Sequence, residues 1–216
     1  MLSHGWNLSP TEAVALQNSL RRQVVGRNCY AELQRIAGVD VGFEADGSIT
    51  RAAIVVLSYP QLQPLEQAIA RLPTSFPYIP GLLSFREVPA ILHALSKLQQ
   101  PPDIFLCDGQ GIAHPRRFGL ACHLGVYTDI PSVGVAKTRL IGSHATVPAE
   151  KGGWVPLIDK DETIGAVLRT RSGVKPLYIS IGHKISLERS IELVLACTTR
   201  YKLPETTRAA HRLASG

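Results

Sequence analysis

The stretch IAGVDVGFE, residues 36–44, constrains the fold of this 216-residue chain more than any other segment. Val39, Val41 and Phe43 fall on one face of a strand and Asp40 on the other, because successive side chains of a strand point in opposite directions. The turn-forming sequence EADGSI and a second apolar run, TRAAIVVLSYP, follow at once. This pattern predicts a β-hairpin, so the sheet must contain antiparallel strands.

The rest of the chain alternates between helical and extended patterns. Ser9, Pro10 and Glu12 mark the start of a first helix as N-cap, first helical residue and capping-box partner. Further helices are predicted in PAILHALSKL, with its start at Pro89, and in GLACHLGVYTDI, SLERSIELVLACTTR and PETTRAAHRLAS. Further strands are predicted in DIFLCD, PSVGVAK, TIGAVLRT and PLYISIG, whereas EQAIARLP suits a strand or a helix equally.

One segment, residues 140–163, shows no clear period and is predicted to form a surface excursion. A hairpin followed by alternating helices and strands predicts an α/β fold with a mixed β-sheet flanked by helices. We expect one domain spanning residues 1–216.

Charge and cysteine content narrow the functional classes. The chain carries 23 Lys and Arg against 17 Asp and Glu, a net charge of +6, which favours a polyanionic partner. Cys29, Cys107, Cys122 and Cys197 lie far apart without a C-x-x-C pair, so reduced thiols and a cytoplasmic location are expected. The sequence shows neither a secretion signal nor an apolar stretch long enough to span a bilayer. No obligate protein partner is indicated, and we expect a monomer.

Asp40 is an unusual residue for a strand, because aspartate is depleted there. Gly38 and Gly42 share its face and would leave space above the sheet for a cation and a phosphate oxygen. A solvated edge strand is the alternative explanation.

Asp108 ends a short apolar strand before Gly-Gln-Gly, which is typical of ligand sites in α/β sheets, although Asp-Gly is also a common turn.

Glu87 has two interpretations. Ser84-Phe85-Arg86-Glu87 fits a capping box, but Pro89 would then remove a hydrogen bond from the helix. A helix that begins nearer Pro89 leaves Glu87 just before its positive end, free to face the sheet. The second interpretation is favoured, and it makes Glu87 a functional carboxylate.

The segment FPYIPGLLSFRE, residues 76–87, holds Tyr78 between two prolines. Pro77 and Pro80 keep this segment extended and stiff, because proline fixes its own φ and disfavours helix in the residue before it. A stiff loop can present an aromatic ring to a partner. A ring packed into the core beside a simple turn is the alternative.

Several basic residues are candidates for contact with a polyanion. The loop GIAHPRRFG brings His114, Arg116 and Arg117 together, where either phosphate contact or a solvated loop explains them. Lys137 ends PSVGVAK, so its ammonium group can reach the strand ends, although snorkelling alone explains this placement. His211 shares one face of the last predicted helix with two arginines, where an exposed basic face is the simpler interpretation.

Six segments, in order along the chain, resemble the endonuclease V family. They are GVDVGF (38–43), PYIPGLLSFRE (77–87), CDGQGIAHPRR (107–117), VGVAKTRL (133–140), ISIGHKIS (179–186) and LPETTRAAH (203–211). The resemblance covers nearly the whole chain. It implies a ribonuclease H-like mixed sheet, in which neighbouring strands bring Asp40 and Asp108 together.

The resemblance also implies a metal-dependent endonuclease that acts in DNA repair. The family nicks nucleic acid containing deaminated adenine at the second phosphodiester bond 3′ to the inosine, leaving a 3′-OH and a 5′-phosphate. Asp40, Glu87 and Asp108 match the family's carboxylates and are expected to hold Mg²⁺, with Mn²⁺ as an alternative. Lys137 and His211 match its further catalytic residues.

The implied substrate site lies around Tyr78, which matches the family's strand-separating wedge. Stacking worth about 1–3 kcal/mol per base would offset much of the cost of flipping the lesion out of the duplex. The flipped hypoxanthine is expected near the backbone of residues 81–83 and 109–112. The residues expected to contact the substrate are Pro77, Tyr78, Ile79, Pro80, Gly81, Leu82, Gly109, Gly111, Ile112, His114, Arg116 and Arg117. Gln110 departs from the family pattern, since bacterial members often have histidine there.

The expected partner is DNA containing deoxyinosine or mismatches, but other functions remain open. An inosine-directed endoribonuclease or a structure-selective nuclease on the same fold would carry the same residues, because nothing here reports selection for the sugar 2′ position. A non-catalytic nucleic-acid-binding module is the remaining alternative. The three carboxylates and Lys137 count against it.

Overall fold

The structure, a computed structural model, describes residues 4–216 of the chain. Within these residues, the helices are α1 (Pro10–Leu20), α2 (Leu83–Leu95), α3 (Leu120–Thr128), α4 (Leu187–Ala196) and α5 (Glu205–Ser215). The strands are β1 (Arg35–Glu44), β2 (Ile49–Ser58), β3 (Pro64–Pro73), β4 (Ile104–Cys107), β5 (Ser132–Ala136), β6 (Trp154–Asp159), β7 (Glu162–Leu168) and β8 (Leu177–His183).

The predicted hairpin forms the antiparallel half of the sheet. β1 pairs with β2 along its whole length, and β2 pairs with β3 in the same antiparallel sense. EQAIARLP is therefore a strand. Ala68 and Ala70 of β3 point into the core, which is the period-two burial of a strand.

Parallel strands extend the sheet on the other side of β1. The strand order is β3-β2-β1-β4-β5-β8-β7-β6, with β1, β4 and β5 parallel to one another and β8, β7 and β6 added by antiparallel pairing. α3 joins β4 to β5, since parallel neighbours need a crossover connection. The mixed sheet predicted from the sequence is confirmed.

Helices cover both faces of this sheet. On one face, Val39 of β1 belongs to a buried cluster with Val88 of α2 and Leu124 of α3. On the other face, Val135 of β5 belongs to a cluster with Val194 of α4. α5 lies on the same face of the sheet as α4 and packs directly on β1 and β2.

The start of α2 differs from the prediction. α2 begins at Leu83, so Pro89 lies within it as the seventh residue and does not mark its start. Phe85, Val88 and Ile91 repeat at helical spacing and are buried, and packing of this apolar stripe outweighs the hydrogen bond that Pro89 removes.

Both interpretations of Glu87's helical position are therefore wrong. Ser84 is not the N-cap: it is the second residue of α2, and its hydroxyl group hydrogen bonds to His123 Nδ1 at 2.9 Å. Glu87 does not precede the helix either, because it is the fifth residue. Its side chain is buried.

The predicted surface excursion over residues 140–163 is also only partly correct. It contains β6, an edge strand, and the first residues of β7. Leu157 is buried, whereas Trp154 and Ile158 are exposed, so large apolar residues on the solvent side hid the strand period. An edge position also tolerates Pro156.

Three smaller predictions concern the first helix, the thiols and membrane association. The capping box of Ser9 and Glu12 is complete at the start of α1. Cys29, Cys107, Cys122 and Cys197 are all free thiols. Among the helices of residues 4–216, none combines the length and apolar character needed to cross a bilayer.

Candidate active site

Asp40 and Asp108 meet where β4 ends beside β1. Val39 and Cys107 are partners in the parallel ladder, and the Asp108 N–H donates to the Val39 carbonyl at 2.9 Å. Asp40 and Asp108, which follow Val39 and Cys107 in the two parallel strands, therefore lie side by side. Asp40 also accepts a hydrogen bond at Oδ1 from the Val41 N–H at 2.8 Å, which fixes its carboxylate.

The glycines that flank Asp40 do not leave the open space inferred from the sequence. A Cβ at Gly38 would lie 2.0 Å from the Thr206 carbonyl oxygen, and one at Gly42 would lie 2.5 Å from that of Ala214. Because both glycines lack a side chain, the backbone of α5 can pack directly against β1. Their physical role is to bring a helix, with His211 on it, close to Asp40.

His211 completes a cluster of metal-binding side chains with the two aspartates. Within residues 4–216, Asp40, Asp108 and His211 each offer a ligand atom, and these three atoms lie within 4.8 Å of one another. His211 Nδ1 is 2.6 Å from Asp40 Oδ2. The contact between His211 and Asp40 thus links α5 to β1.

Lys137 lies beside this cluster at the end of β5. Its Nζ forms an ion pair with Asp108 Oδ2 and lies 3.5 Å from His211 Nδ1. The ammonium group therefore neutralises part of the negative charge of the cluster from the solvent side.

Burial and neighbouring negative charge raise the pKa values of two carboxyl groups, Asp40 and Glu87. The pKa of Asp40 is raised, first by burial and then by the charge of Asp108, although the hydrogen bond with His211 opposes this. Burial, Asp40 and Asp108 together raise the pKa of Glu87 to about 8. A bound cation would relieve this repulsion.

Glu87 lies outside the three-residue cluster, but it lines a cavity that borders the cluster. This cavity, of about 460 Å³, lies next to Asp108 and Lys137 and is walled by the Tyr78 loop, which is the segment of residues 76–82. Its further lining includes Gly109, Gln110, Ser84 and Leu120. One concave site thus adjoins both the carboxylates and the loop.

Tyr78 is presented to solvent, as the flanking prolines predicted. Its side chain is 70% exposed, whereas the preceding Phe76 is buried against Phe85 with ring centroids 5.6 Å apart. Arg86 supports the same loop: it donates to the Phe76 carbonyl at 3.4 Å and stacks over the Phe43 ring at 4.3 Å. The Tyr78 ring is therefore exposed, while the start of its loop is anchored in the core through Phe76.

The other end of the loop is fixed at the carbonyl of Gly81, which accepts three hydrogen bonds. Gln17 Nε2 donates at 3.0 Å, His114 Nε2 at 3.0 Å and Arg116 Nη2 at 2.6 Å. We call this arrangement the Gly81 clamp. Gln17, on α1, also accepts from Arg116 Nε at 2.5 Å, so it holds both the loop and the arginine.

The clamp fixes the protonation state of His114. Its Nε2 faces a carbonyl oxygen and must carry the proton, while Nδ1 accepts from the Arg116 N–H at 3.2 Å. Burial, followed by the charge of Arg116, lowers the pKa of His114 to about 4. His114 is therefore a neutral donor near pH 7.

The two arginines of this loop face the protein. Arg116 belongs to the Gly81 clamp, and Arg117 pairs with Asp159 at 2.8 Å and Glu162 at 2.7 Å. The sequence left phosphate contact and a solvated loop open for both. Their guanidinium groups instead tie the loop to α1, the Tyr78 loop and the β6–β7 turn.

Within the two segments expected around the flipped base, residues 81–83 and 109–112, three residues lie outside the cavity. Leu82 is buried and its N–H donates to the Ile79 carbonyl at 2.9 Å. The Gly111 N–H donates to Ser180 Oγ, and the Ile112 N–H to the Ile181 carbonyl, both at 2.8 Å. Their backbone donors already have partners within the protein, whereas Gly81 and Gly109 do line the cavity.

Gln110, the departure from the family pattern, also lines the cavity. Its Nε2 donates to the Thr138 carbonyl at 3.0 Å. Its Oε1 is buried and has no hydrogen-bond partner within residues 4–216. A buried acceptor beside the cavity thus has no partner in the described part of the chain.

Comparison with known proteins places this site in a family. The sequence profile described as Endonuclease V matches residues 18–212. An endonuclease V from Trichormus variabilis is 60% identical over 213 residues, which cover 98% of this chain and 96% of that protein. The chain belongs to the endonuclease V family.

Solved structures of this family share the fold. The crystal structure of endonuclease V from Streptomyces avermitilis superposes with a TM-score of 0.93 at 42% identity, covering 99% of this chain and 95% of that one. Endonuclease V from Ciona intestinalis, in complex with DNA containing an inosine, superposes with a TM-score of 0.84 at 26% identity, covering 96% and 97%. The ribonuclease H-like sheet expected from the resemblance is confirmed, and membership makes the chain an endonuclease, a hydrolase.

The donor set of this endonuclease V site fits a divalent metal ion. Asp40 and Asp108 supply carboxylate oxygens, and His211 supplies an imidazole nitrogen within the same 4.8 Å. Burial, followed by the charge of Asp108, raises the pKa of Asp40, and a cation beside both carboxylates would oppose this shift. The residues present can therefore hold a metal, and oxygen ligands from two carboxylates suit a hard cation.

Proposed function

We propose that this chain is a Mg²⁺-dependent endonuclease that nicks DNA at the second phosphodiester bond 3′ to deoxyinosine. The products would carry a 3′-OH and a 5′-phosphate. The observation that carries this proposal is one continuous site: the cluster of Asp40, Asp108 and His211 beside a cavity that the exposed Tyr78 ring overhangs. A lesion in the cavity would leave a nearby phosphate at the cluster.

Tyr78 acts as the wedge in this proposal. Its ring is exposed on a loop fixed at Phe76 and at Gly81, so it can enter a duplex with little loss of conformational entropy. Stacking of the ring would replace the stacking lost when the lesion leaves the helix, worth about 1–3 kcal/mol. Damaged or mismatched bases are selected because they cost least to flip.

The cavity then receives the flipped base. Its volume of about 460 Å³ suits a small ligand. Gly81, Gly109 and Gln110 line it, and the Gly81 N–H, the Gly109 backbone and the Gln110 side chain could read the O6 and N1–H of hypoxanthine. Adenine presents the opposite donor and acceptor pattern, so it would be rejected.

The chain's own residues hold the reacting groups. Asp40 and Asp108 supply oxygen ligands that Mg²⁺ prefers, and Mn²⁺ suits the same donors. A cation held there would polarise the scissile phosphate and lower the pKa of an attacking water. Glu87, buried beside both aspartates, adds a third carboxylate to this site.

Lys137 and His211 complete the catalytic set. Lys137 lies between Asp108 and His211, where its ammonium group would balance the negative charge that develops on the phosphate. His211 is oriented through Nδ1 by Asp40, so its imidazole is held in place to position or activate water.

RNA is the second candidate substrate, and one observation favours considering it. The DNA bound to endonuclease V from Ciona intestinalis contains an inosine followed by a ribo-adenosine. A ribonucleotide next to the lesion is thus accommodated by that relative. An inosine-directed endoribonuclease would use the same cluster and cavity.

A nicking assay with Mg²⁺ tests the proposal. Matched oligonucleotides with and without one inosine, in DNA and in RNA, are incubated with the protein, and the product ends are mapped. We expect one nick at the second bond 3′ to the inosine in DNA. Product from RNA alone would assign the second candidate function, and binding without product under any divalent metal would assign a non-catalytic module.

A further inference from the structure

A second groove, of about 430 Å³, adjoins the active-site cavity. Both are bordered by Lys137, Thr138 and Arg139, the residues that follow β5. The groove continues past them to Lys175 in the β7–β8 connection and to Tyr178 on β8. We call it the Lys175 groove.

The Lys175 groove is positively charged, and in the described part of the chain Lys137 alone among its basic side chains has an acidic partner. Lys175 and Arg139 are exposed, and within residues 4–216 neither forms an ion pair. Lys202 lies beside the groove, since the hydroxyl group of Thr170, the residue after Arg169, donates to the Lys202 carbonyl at 2.6 Å. Burial, followed by the charges of Lys175 and Lys137, lowers the pKa of Lys202. Lys175 and Lys202 thus add positive charge beyond Lys137, which is already paired with Asp108, and a bound anion would stabilise this arrangement.

The floor of the groove is rigid and basic. Arg169 donates to the carbonyls of Pro148 at 2.9 Å and Val147 at 3.2 Å, and to that of Val174. These bonds fix its guanidinium group and join the two chain segments that border the groove. The groove therefore exists before any partner binds.

Aromatic rings line the same groove. Tyr178 is half-buried, and the His144 ring packs edge-on against it with centroids 5.9 Å apart. Single-stranded nucleic acid is bound in many proteins by a basic groove together with rings on which bases stack. The composition of the groove matches that pattern.

We propose that the Lys175 groove binds the nicked strand on the 3′ side of the cleaved bond, as a single-stranded segment. This inference rests on the proposed function. The base cavity and the groove share Lys137, Thr138 and Arg139 on their borders, and Lys137 is at the metal cluster. A strand with its lesion in the cavity and its scissile phosphate at the cluster, 3′ to the lesion, must continue beyond Lys137 in the direction of the groove.

The test varies the length of the strand on each side of the inosine. One single-stranded oligonucleotide ends directly after the cleaved bond, and another extends about ten nucleotides further, within the usual span of single-strand sites. A third carries the same extension on the 5′ side. Wild-type protein, the double variant Lys175→Gln/Lys202→Gln and the control Lys160→Gln are compared by KM, kcat and salt dependence. Lys160 is exposed on the β6–β7 turn.

We expect the 3′ extension to lower KM for wild-type protein and for Lys160→Gln, with kcat unchanged. In the double variant this gain should disappear, and the slope of log affinity against log salt should fall by about 0.7 per lysine. Over a fourfold rise in salt, the double variant would then lose about sevenfold less affinity than wild type.

Two results would overturn the inference. One is an unchanged gain from the 3′ extension in the double variant, and the other is a gain that comes from the 5′ extension instead. Both outcomes presuppose inosine-directed nicking of the short oligonucleotide. Failure of the proposed function is a separate result, in which no oligonucleotide is nicked by wild-type protein.

Discussion

His211 Nδ1 lies 2.6 Å from Asp40 Oδ2, although the two residues are 171 positions apart in the sequence. The contact exists because α5 packs in backbone contact with β1, at two glycines that lack the side chains to prevent it. The position of the last helix thus determines whether the cluster of Asp40, Asp108 and His211 forms at all.

Substitution of Gly38 by alanine should separate α5 from β1. The new Cβ would lie 2.0 Å from the Thr206 carbonyl oxygen, so the helix must shift. We expect unfolding to be easier by about 1–3 kcal/mol or more, with nicking reduced further than the lost stability explains. Thermal denaturation and nicking rates measure the two effects. Gly5→Ala, where a Cβ meets nothing within 4 Å, is the control; equal behaviour of both variants would contradict this account.

Substitution of Tyr78 by alanine should weaken engagement of the lesion. Loss of one stacking ring costs about 1–3 kcal/mol, which corresponds to about 5- to 150-fold in affinity for inosine-containing DNA. Because the ring is 70% exposed, thermal stability should change little. Tyr78→Phe keeps the ring and should keep the affinity. An alanine variant that binds inosine DNA like wild type would show that the ring is not a wedge.

Substitution of Gln17 by leucine should loosen the Tyr78 loop without touching the carboxylates. The change removes a donor to Gly81 and the acceptor for Arg116 Nε, both of which belong to the buried side chain of Gln17. We expect KM for inosine DNA to rise by about tenfold, with kcat largely kept. The neighbouring exposed residue provides the control Asn18→Leu. A drop in kcat with unchanged KM would assign Gln17 a different role.

His123 should make the fold sensitive to acid. Burial, followed by the charge of His4, lowers the pKa of His123 to about 3, whereas the unfolded chain takes up this proton near 6.5. The unfolded state therefore binds more protons as pH falls below 6.5, and stability is lost progressively toward pH 3. At pH 5 the loss from this group is about 2 kcal/mol.

Urea denaturation at pH 7.5 and pH 5 measures this effect. His123→Gln should flatten the difference between the two midpoints, because glutamine does not titrate. His93→Gln, at an exposed position, should keep it. The same pH difference in wild type and His123→Gln would contradict the assignment.

The sequence predicts the strands of this fold better than it predicts how helices meet them. The alternation around Asp40 and the short apolar strand before Asp108 are local patterns, and parallel neighbours then bring both residues together. The sequence predicts the start of α2 six residues too late, because proline is favoured at the first helical position and Pro89 lies inside this helix. The buried spacing of Phe85, Val88 and Ile91 was the available contrary signal.

Close packing between distant segments is harder to predict. Gly38 and Gly42 were interpreted as space for a cation, but they accommodate a helix that follows more than 150 residues later. Gln17 was not identified at all, although Ala13 and Leu20 place it on the buried face of α1. A polar residue on an apolar helix face is a signal for a buried hydrogen-bond network.

The central claim is that Asp40 and Asp108 hold a catalytic metal ion beside the lesion cavity. Asp40→Asn tests it most directly, because the amide keeps the shape of the side chain and removes its charge. Single-turnover nicking of inosine DNA with Mg²⁺ is measured beside binding of the same DNA, with Asp46→Asn on the exposed β1–β2 turn as control. We predict that Asp40→Asn binds the DNA but does not nick it, while Asp46→Asn does both. Nicking at the wild-type rate by Asp40→Asn would contradict the claim.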